Sequence, residues 1–321
     1  MKKLIFVFIL TCFLITGVML IIYKPWRGGI LIEDPPQVTD TVHTDAKTPP
    51  KVQPVGKTEK KISDMKKEVE SILADFPGKA SLAFYDYETG EALNMDSGES
   101  FESASLVKIP IMYEVFRQIQ EGLISQDKEL VLEDSMKTGG AGVLKDEPAG
   151  SKWKISEILT FMITKSDNTA ADMMIDLAGM ENVEKTAVSL GAKGITLRRK
   201  IYDFAQIDKG KDNYATPDDM MVMLRAIVEN KGVNEKYCQE MIDIMKKQTM
   251  RDRIPKLLPK DVVCASKTGG LTGFVHDCAI IYPQGKKPYV LVLMGKNVTD
   301  ENKAKEIYAK TSLAVYKWIV K

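Results

Sequence analysis

Histidine is almost absent from this 321-residue chain: His43 and His276 are the only two. That leaves no material for a zinc site built on clustered histidines, and none for a Ser-His-Asp triad. Cysteine is scarce as well. Cys12, Cys238, Cys264 and Cys278 match neither a zinc ribbon nor a CxxC redox motif. Cys264 and Cys278 fall on what read as neighbouring strands, where they can face each other; the plainer reading is buried free thiols. A dominant charge is also missing, since 45 Lys+Arg nearly cancel 44 Asp+Glu. The molecule as a whole therefore has no electrostatic bias towards nucleic acid. No fixed-period repeat is present. A hydrolase built from this chain must find its base outside histidine.

What is present begins with Met1-Lys2-Lys3, followed by an uncharged apolar run from Leu4 to Tyr23 that Lys24 ends. A helix of that length spans roughly 30 Å, the thickness of the bilayer hydrocarbon. The run stays bulky through Met19-Leu20-Ile21-Ile22 and no small-residue cleavage site follows. Residues 1–26 are therefore expected to be an uncleaved single-pass anchor in the cell membrane, the alternative being a signal peptide and a secreted protein. Lys2 and Lys3 favour a cytoplasmic N-terminus, while Lys24 and Arg27 oppose them. Residues 27–61, rich in Pro, Thr and Lys, read as a disordered extracytoplasmic linker. Residues 62–321 remain as one folded domain.

Within that domain Ile62, Met65, Val69 and Ile72 recur at helical spacing. Residues 80–85 read as a strand, 86–90 as a turn and 92–95 as a second strand. Helices dominate from Ser105 to about Met250, the strongest at 108–121, 154–162, 169–177, 219–229 and 236–247. Strand character returns at 261–266, 275–282 and 288–294, and a helix over 302–319 closes the chain. Strands at both ends with helices between predict an α/β (α+β) fold. Its antiparallel sheet is built from both chain ends and flanked by terminal helices, and an all-helical subdomain at about 108–250 is inserted between the strands.

Three short motifs carry chemistry. Ser105-Leu106-Val107-Lys108 is an S-x-x-K element that places a hydroxyl and an amine on one side of a helical turn. A lysine serves as base there only if burial or nearby cations depress its pKa. Alone the pattern says little, because Ser63–Lys66, Ser125–Lys128 and Ser151–Lys154 repeat it. Ser166-Asp167-Asn168 stands between two helices, and Lys267-Thr268-Gly269 follows a strand. Lys137-Thr138-Gly139 duplicates the last triplet, but its surroundings read as loop, so a structural role is expected for it.

The ordered set S-x-x-K, S-D-N and K-T-G resembles the class A beta-lactamases and penicillin-binding proteins. The spacings, 61 residues from Ser105 to Ser166 and 101 from Ser166 to Lys267, suit that family. So do the segments 101–108 and 159–171 and the helix start Thr216-Pro217. The resemblance implies a serine hydrolase that works through a covalent acyl-enzyme, with neither cofactor nor metal. Its substrate would be a beta-lactam or a peptidoglycan-derived peptide outside the cytoplasmic membrane. By the same resemblance Ser105 is the nucleophile, Lys108 its activating base and Ser166 a proton relay. Asn168, Lys267 and Thr268 bind substrate, Lys267 also tuning the field, and the backbone N–H groups of Ser105 and Gly270 form the oxyanion hole.

Two departures follow. The family's deacylating glutamate belongs near Tyr202, where the chain reads Leu197-Arg198-Arg199-Lys200-Ile201-Tyr202-Asp203-Phe204. Asp203 is the one nearby carboxylate, either a substitute for the glutamate or a loop ion pair with Arg198, Arg199 or Lys200. Arg199 can brace that loop. Second, no arginine follows Lys267-Thr268-Gly269 to receive a substrate carboxylate; His276 is the candidate there, or else an edge-strand histidine. The missing glutamate predicts ordinary acylation with slow or differently catalysed release. Hydrolysis of beta-lactam-type substrates, slow-release acyl transfer on cell-wall peptides, and a non-catalytic sensor domain all remain open at this point.

Overall fold

The computed structural model describes residues 62–321, so the expected anchor and linker lie outside the described residues. Helix α1 (Ile62–Leu73) leads into strands β1 (Lys79–Asp86) and β2 (Ala92–Met95) and the two-residue β3 (Phe101–Glu102). A long insertion follows: α2 (Lys108–Gln120), β4 (Glu129–Val131), β5 (Lys152–Lys154), α3 (Ile155–Thr164), α4 (Asn168–Ala178), α5 (Met180–Leu190), β6 (Tyr214–Ala215), α6 (Pro217–Val228) and α7 (Glu235–Lys246). The chain then returns through β7 (Val263–Leu271), β8 (Phe274–Tyr282) and β9 (Tyr289–Lys296) and ends in α8 (Glu301–Val320).

The main sheet has the order β2-β1-β9-β8-β7, antiparallel at every junction. Both faces are covered, and strand alternation divides the core. Leu82, Phe84, Leu291 and Leu293 join Met65 and Val69 of α1 and Tyr308 and Val315 of α8. Ala83, Val290, Val292 and Met294 face the helical insertion and join the cluster around α2. The fold is the one expected from the sequence.

Several sequence expectations need correction. Lys267-Thr268-Gly269 does not follow a strand; it lies inside β7, which runs on to Leu271. β7 is an edge strand, where the pair of glycines is tolerated because β8 holds them in register, Gly269 opposite His276 and Gly270 opposite Val275. β8 is interior, so His276 is no edge residue. Cys264 and Cys278 do not face each other, since they lie opposite Ile281 and Lys267 on different faces of the sheet; all three described cysteines are free and buried, which is the plainer reading of the sequence.

Candidate active site

Ser105 sits in a 3₁₀ turn, Ala104–Val107, that runs directly into α2. The residue before it, Ala104, has φ +45°, and Ser166 has φ +51°. Side-chain-bearing residues adopt this left-handed region at a cost of order 1–3 kcal/mol each. α2 is buried on almost every side, so it carries Lys108 into the interior, with no exposure.

Lys108 Nζ lies 2.7 Å from Ser166 O and 2.8 Å from Asn168 Oδ1, then 3.1 Å from Ser105 Oγ and 3.3 Å from Ser166 Oγ. The two shortest contacts are with atoms that only accept. A neutral amine gives them its two hydrogens and turns its lone pair towards a hydroxyl. The electrostatics agree. Burial, reinforced by the positive charge of Lys267, holds Lys108 well below the usual lysine range.

Lys267 enters from β7, wholly buried, and donates to Ser166 Oγ at 3.0 Å and to Thr268 O at 2.7 Å. Ser166 Oγ in turn donates to Ser105 Oγ at 2.9 Å. Lys267, Ser166, Ser105 and Lys108 thus form one chain along which a proton can pass. Burial lowers Lys267 to about 7, and the Arg253 guanidinium acts in the same sense.

The remaining expected residues divide. Asn168 is in place, its Oδ1 on Lys108 and its Nδ2 donating to Gly139 O at 2.9 Å. Gly270 lines a cavity of about 220 Å³ together with Ser105 and Asn168. Thr268 is 3% exposed, and its hydroxyl points to Met250 Sδ at 3.5 Å rather than lining that cavity. Asp167, between the two site residues of its triplet, caps α4 through Ala170 N–H and holds the neighbouring loop through the N–H groups of Val143 and Leu144. Lys137-Thr138-Gly139 is loop, as expected. It runs on into Gly140 and Ala141, which line the cavity, and is tied down by Thr138 Oγ1 donating to Asp172 Oδ2 at 2.8 Å.

The loop after α5 lines the cavity as well. Arg199 is buried and paired with Asp212 at 2.8 Å, and it also donates to the carbonyls of Lys200 and Ile201, so it does brace the loop. Ile201, Tyr202 and Phe204 line the cavity; Asp203 is exposed and does not. Arg198, Arg199 and Lys200 pair with Glu184, Asp212 and Asp176, not with Asp203. Among the described residues no carboxylate lines the cavity.

His276 is committed inside the fold. Its Nδ1 accepts from Gly295 N–H at 3.2 Å, which leaves Nε2–H to donate to Glu102 O at 2.9 Å. Burial pushes it down to about 4. It braces β3 against the sheet and does not reach the cavity. An arginine stands near the K-T-G strand after all, and sequence reasoning missed it. Arg253 Nη1 donates to Gly269 O at 3.1 Å and to His276 O at 2.8 Å. A Cβ on Gly270 would lie 3.7 Å from its Nη2. The signal was the basic stretch Arg251-Asp252-Arg253, in an irregular segment upstream of β7.

A helical insertion packed on an antiparallel sheet, with a serine, a second serine and two buried lysines at their junction, defines the serine-hydrolase class of penicillin-recognising folds. The chain belongs to the beta-lactamase enzyme family, whose model matches residues 64–319. It is 24% identical over 249 residues to beta-lactamase VEB-1 of Pseudomonas aeruginosa, covering 71% of this chain and 81% of that protein. The structure of a beta-lactamase from Sphaerobacter thermophilus is similar at TM-score 0.74 and 27% identity, over 80% of this chain and 97% of that one. A mutant of PBP-A, solved as an acyl-enzyme complex with penicillin G, has a similar fold at TM-score 0.73 and 23% identity, over 80% and 96% of the two chains.

Proposed function

We propose that this protein is a serine acyl-transfer enzyme that forms a slowly released acyl-enzyme at Ser105 with beta-lactams or related amides and esters. The observation that carries the reading is the unbroken hydrogen-bond chain from Lys267 through Ser166 and Ser105 to Lys108. Ser105 Oγ attacks the substrate carbonyl as its proton passes to Lys108 Nζ. The resulting oxyanion is received by the backbone N–H groups of Ser105 and Gly270. On collapse the C–N bond breaks, Ser166 Oγ–H protonates the leaving nitrogen, and the proton taken by Lys108 restores Ser166. Lys267 and Arg253 attract the substrate carboxylate, which Thr268 can bind once its hydroxyl turns from Met250, and Asn168 holds its side-chain amide.

Slow release is supported by the apolar wall. Water attacking the ester needs a base, worth about 10²–10⁴ in rate, and Ile201, Tyr202 and Phe204 occupy the wall where the family carries its glutamate. Residues 62–321 are placed on the extracytoplasmic side, where such substrates occur, with residues 1–26 as anchor and 27–61 as tether. Intact-protein mass spectrometry after mixing with penicillin G tests the function. A persistent one-to-one adduct, absent from Ser105→Ala, is expected. Rapid turnover with no accumulating adduct would overturn slow release, and neither adduct nor turnover would overturn the acyl-transfer reading.

A further inference from the structure

The wall that lacks a carboxylate presents aromatic rings instead. Tyr202 and Phe204 are each 45% exposed and line the cavity that holds Ser105. Their centroids are 4.5 Å apart, edge to face at 62°. Large rings are normally covered, and rings left open beside a nucleophile are positioned to meet a ligand.

Their placement is fixed from both sides. The Tyr202 ring spans the backbone of Gly139 and Gly140: a Cβ on Gly139 would lie 3.1 Å from its Cε1, and one on Gly140 2.9 Å from its Cε2. Gly140 also has φ +80°, so the position rejects a side chain twice over. Phe204 lies under the Arg199 guanidinium, 5.7 Å from its centroid, and that guanidinium is anchored by Asp212. Ile201 and Leu271 extend the apolar lining. Among the described residues that line the cavity Arg199 is the one cation, and it is paired with Asp212, so a charged substituent at this end would lose water without gaining a free partner.

Resting on the acyl-transfer reading, we propose that Tyr202 and Phe204 form an aryl subsite, so that the preferred acyl donor carries a flat apolar or aromatic substituent next to its reacting carbonyl. The nearby Asn168 amide is placed to hold the polar link between ring and carbonyl. A cavity of about 220 Å³ falls short of the roughly 300–1,000 Å³ typical of drug-sized ligands. It must also hold the reacting carbonyl at Ser105, so the room at its loop end is for one ring at most. A ring docking on two aromatic residues gains about 0.5–1.5 kcal/mol per pair beyond area burial.

Adduct formation with penicillin G and with 6-acetamidopenicillanic acid, which keeps the nucleus and amide but lacks the ring, tests this. Second-order acylation constants are measured by intact-protein mass spectrometry for the wild type, Tyr202→Phe, Phe204→Leu and the Tyr202→Ala/Phe204→Ala double variant. The wild type is expected to favour the ring-bearing compound about tenfold. Tyr202→Phe should keep most of that preference, Phe204→Leu about half of it on a logarithmic scale, and the double variant almost none. Equal constants in the wild type, or a preference that survives both Phe204→Leu and the double variant, overturn the subsite while leaving acyl transfer standing. No adduct with either compound in the wild type overturns acyl transfer, and the subsite with it.

Discussion

The floor of the cleft and its loop wall are made by opposite means. On the floor, Lys108 and Lys267 have no exposure, and their amines are matched by hydroxyl, carbonyl and amide oxygens at 2.7–3.3 Å. On the wall, Tyr202 and Phe204 stand open at 45% each, and the backbone around them is held chiefly by the buried Arg199–Asp212 pair. The floor is a polar network in which each atom depends on its neighbours, so it tolerates little. The wall is a surface on a brace. Its side chains can change while the brace stays, which is how a fold keeps one reaction and alters its outcome.

The largest effect is expected on the floor. Lys108→Ala should slow adduct formation by about 10²–10⁴, and Lys108→Arg should not restore it, because a guanidinium stays protonated. Rapid-quench mass spectrometry measures this; labelling at near-wild-type speed in either variant would break the contrast. On the wall the brace comes next. Asp212→Ala leaves the Arg199 charge buried without its partner, which typically costs about 3–5 kcal/mol. Hydrogen exchange should rise across residues 199–213 more than in α2, and an equal rise in both would show that wall and floor are one cooperative unit.

Ile201→Glu sharpens the comparison by adding to the wall the group it lacks. The adduct lifetime should shorten at least about tenfold, short of the 10²–10⁴ of a well-placed base. An unchanged decay would place the block to hydrolysis elsewhere.

The dependence on pH is smaller. Lys108 must be neutral to accept a proton, so its depressed pKa sets the acidic limb. Lys267 must be charged to attract a carboxylate, and it loses that charge as pH rises through about 7. Acylation should therefore decline on the alkaline side. Lys267→Arg should flatten that limb; an identical profile would assign it to another group. The smallest effect belongs to Asp203→Asn. Because Asp203 is exposed and off the cavity lining, adduct lifetime should change by about twofold or less. A large change would return it to the role of a substitute base.

The floor could be read from the sequence because its residues lie in three short motifs whose order and spacing resemble a known family. Ser105 and Lys108 share one turn, and Ser166 and Asn168 share one helix junction. The start of α6 was legible only as the family likeness of Thr216-Pro217; the structure shows its cause, Thr216 and Asp219 hydrogen-bonding reciprocally around Pro217. The wall was visible only as a missing glutamate. What fills the gap is the contact of Tyr202 with Gly139 and Gly140, about 60 residues away in sequence, and no local pattern encodes it. Arg253 escaped for the same reason, because its position beneath Gly269 is made by the folding of an irregular segment. The K-T-G strand was cut short because glycines usually end a strand, and here pairing with β8 overrides that preference.

The left-handed backbone at Ala104 and Ser166 has one more consequence. Neither residue belongs to a class that adopts such torsions unaided, and each sits beside a group that handles the proton. The segment around Ala104 is held by His276 of the sheet and by Asn213 of the insertion, and the one around Ser166 by the helical insertion and Lys267. Without those contacts nothing offsets the cost of such torsions, of order 1–3 kcal/mol each, so the alignment of the two hydroxyls depends on both halves being in place. The proposed reactivity is therefore expected only of the finished assembly, and a fragment cut from either half is expected to form no adduct.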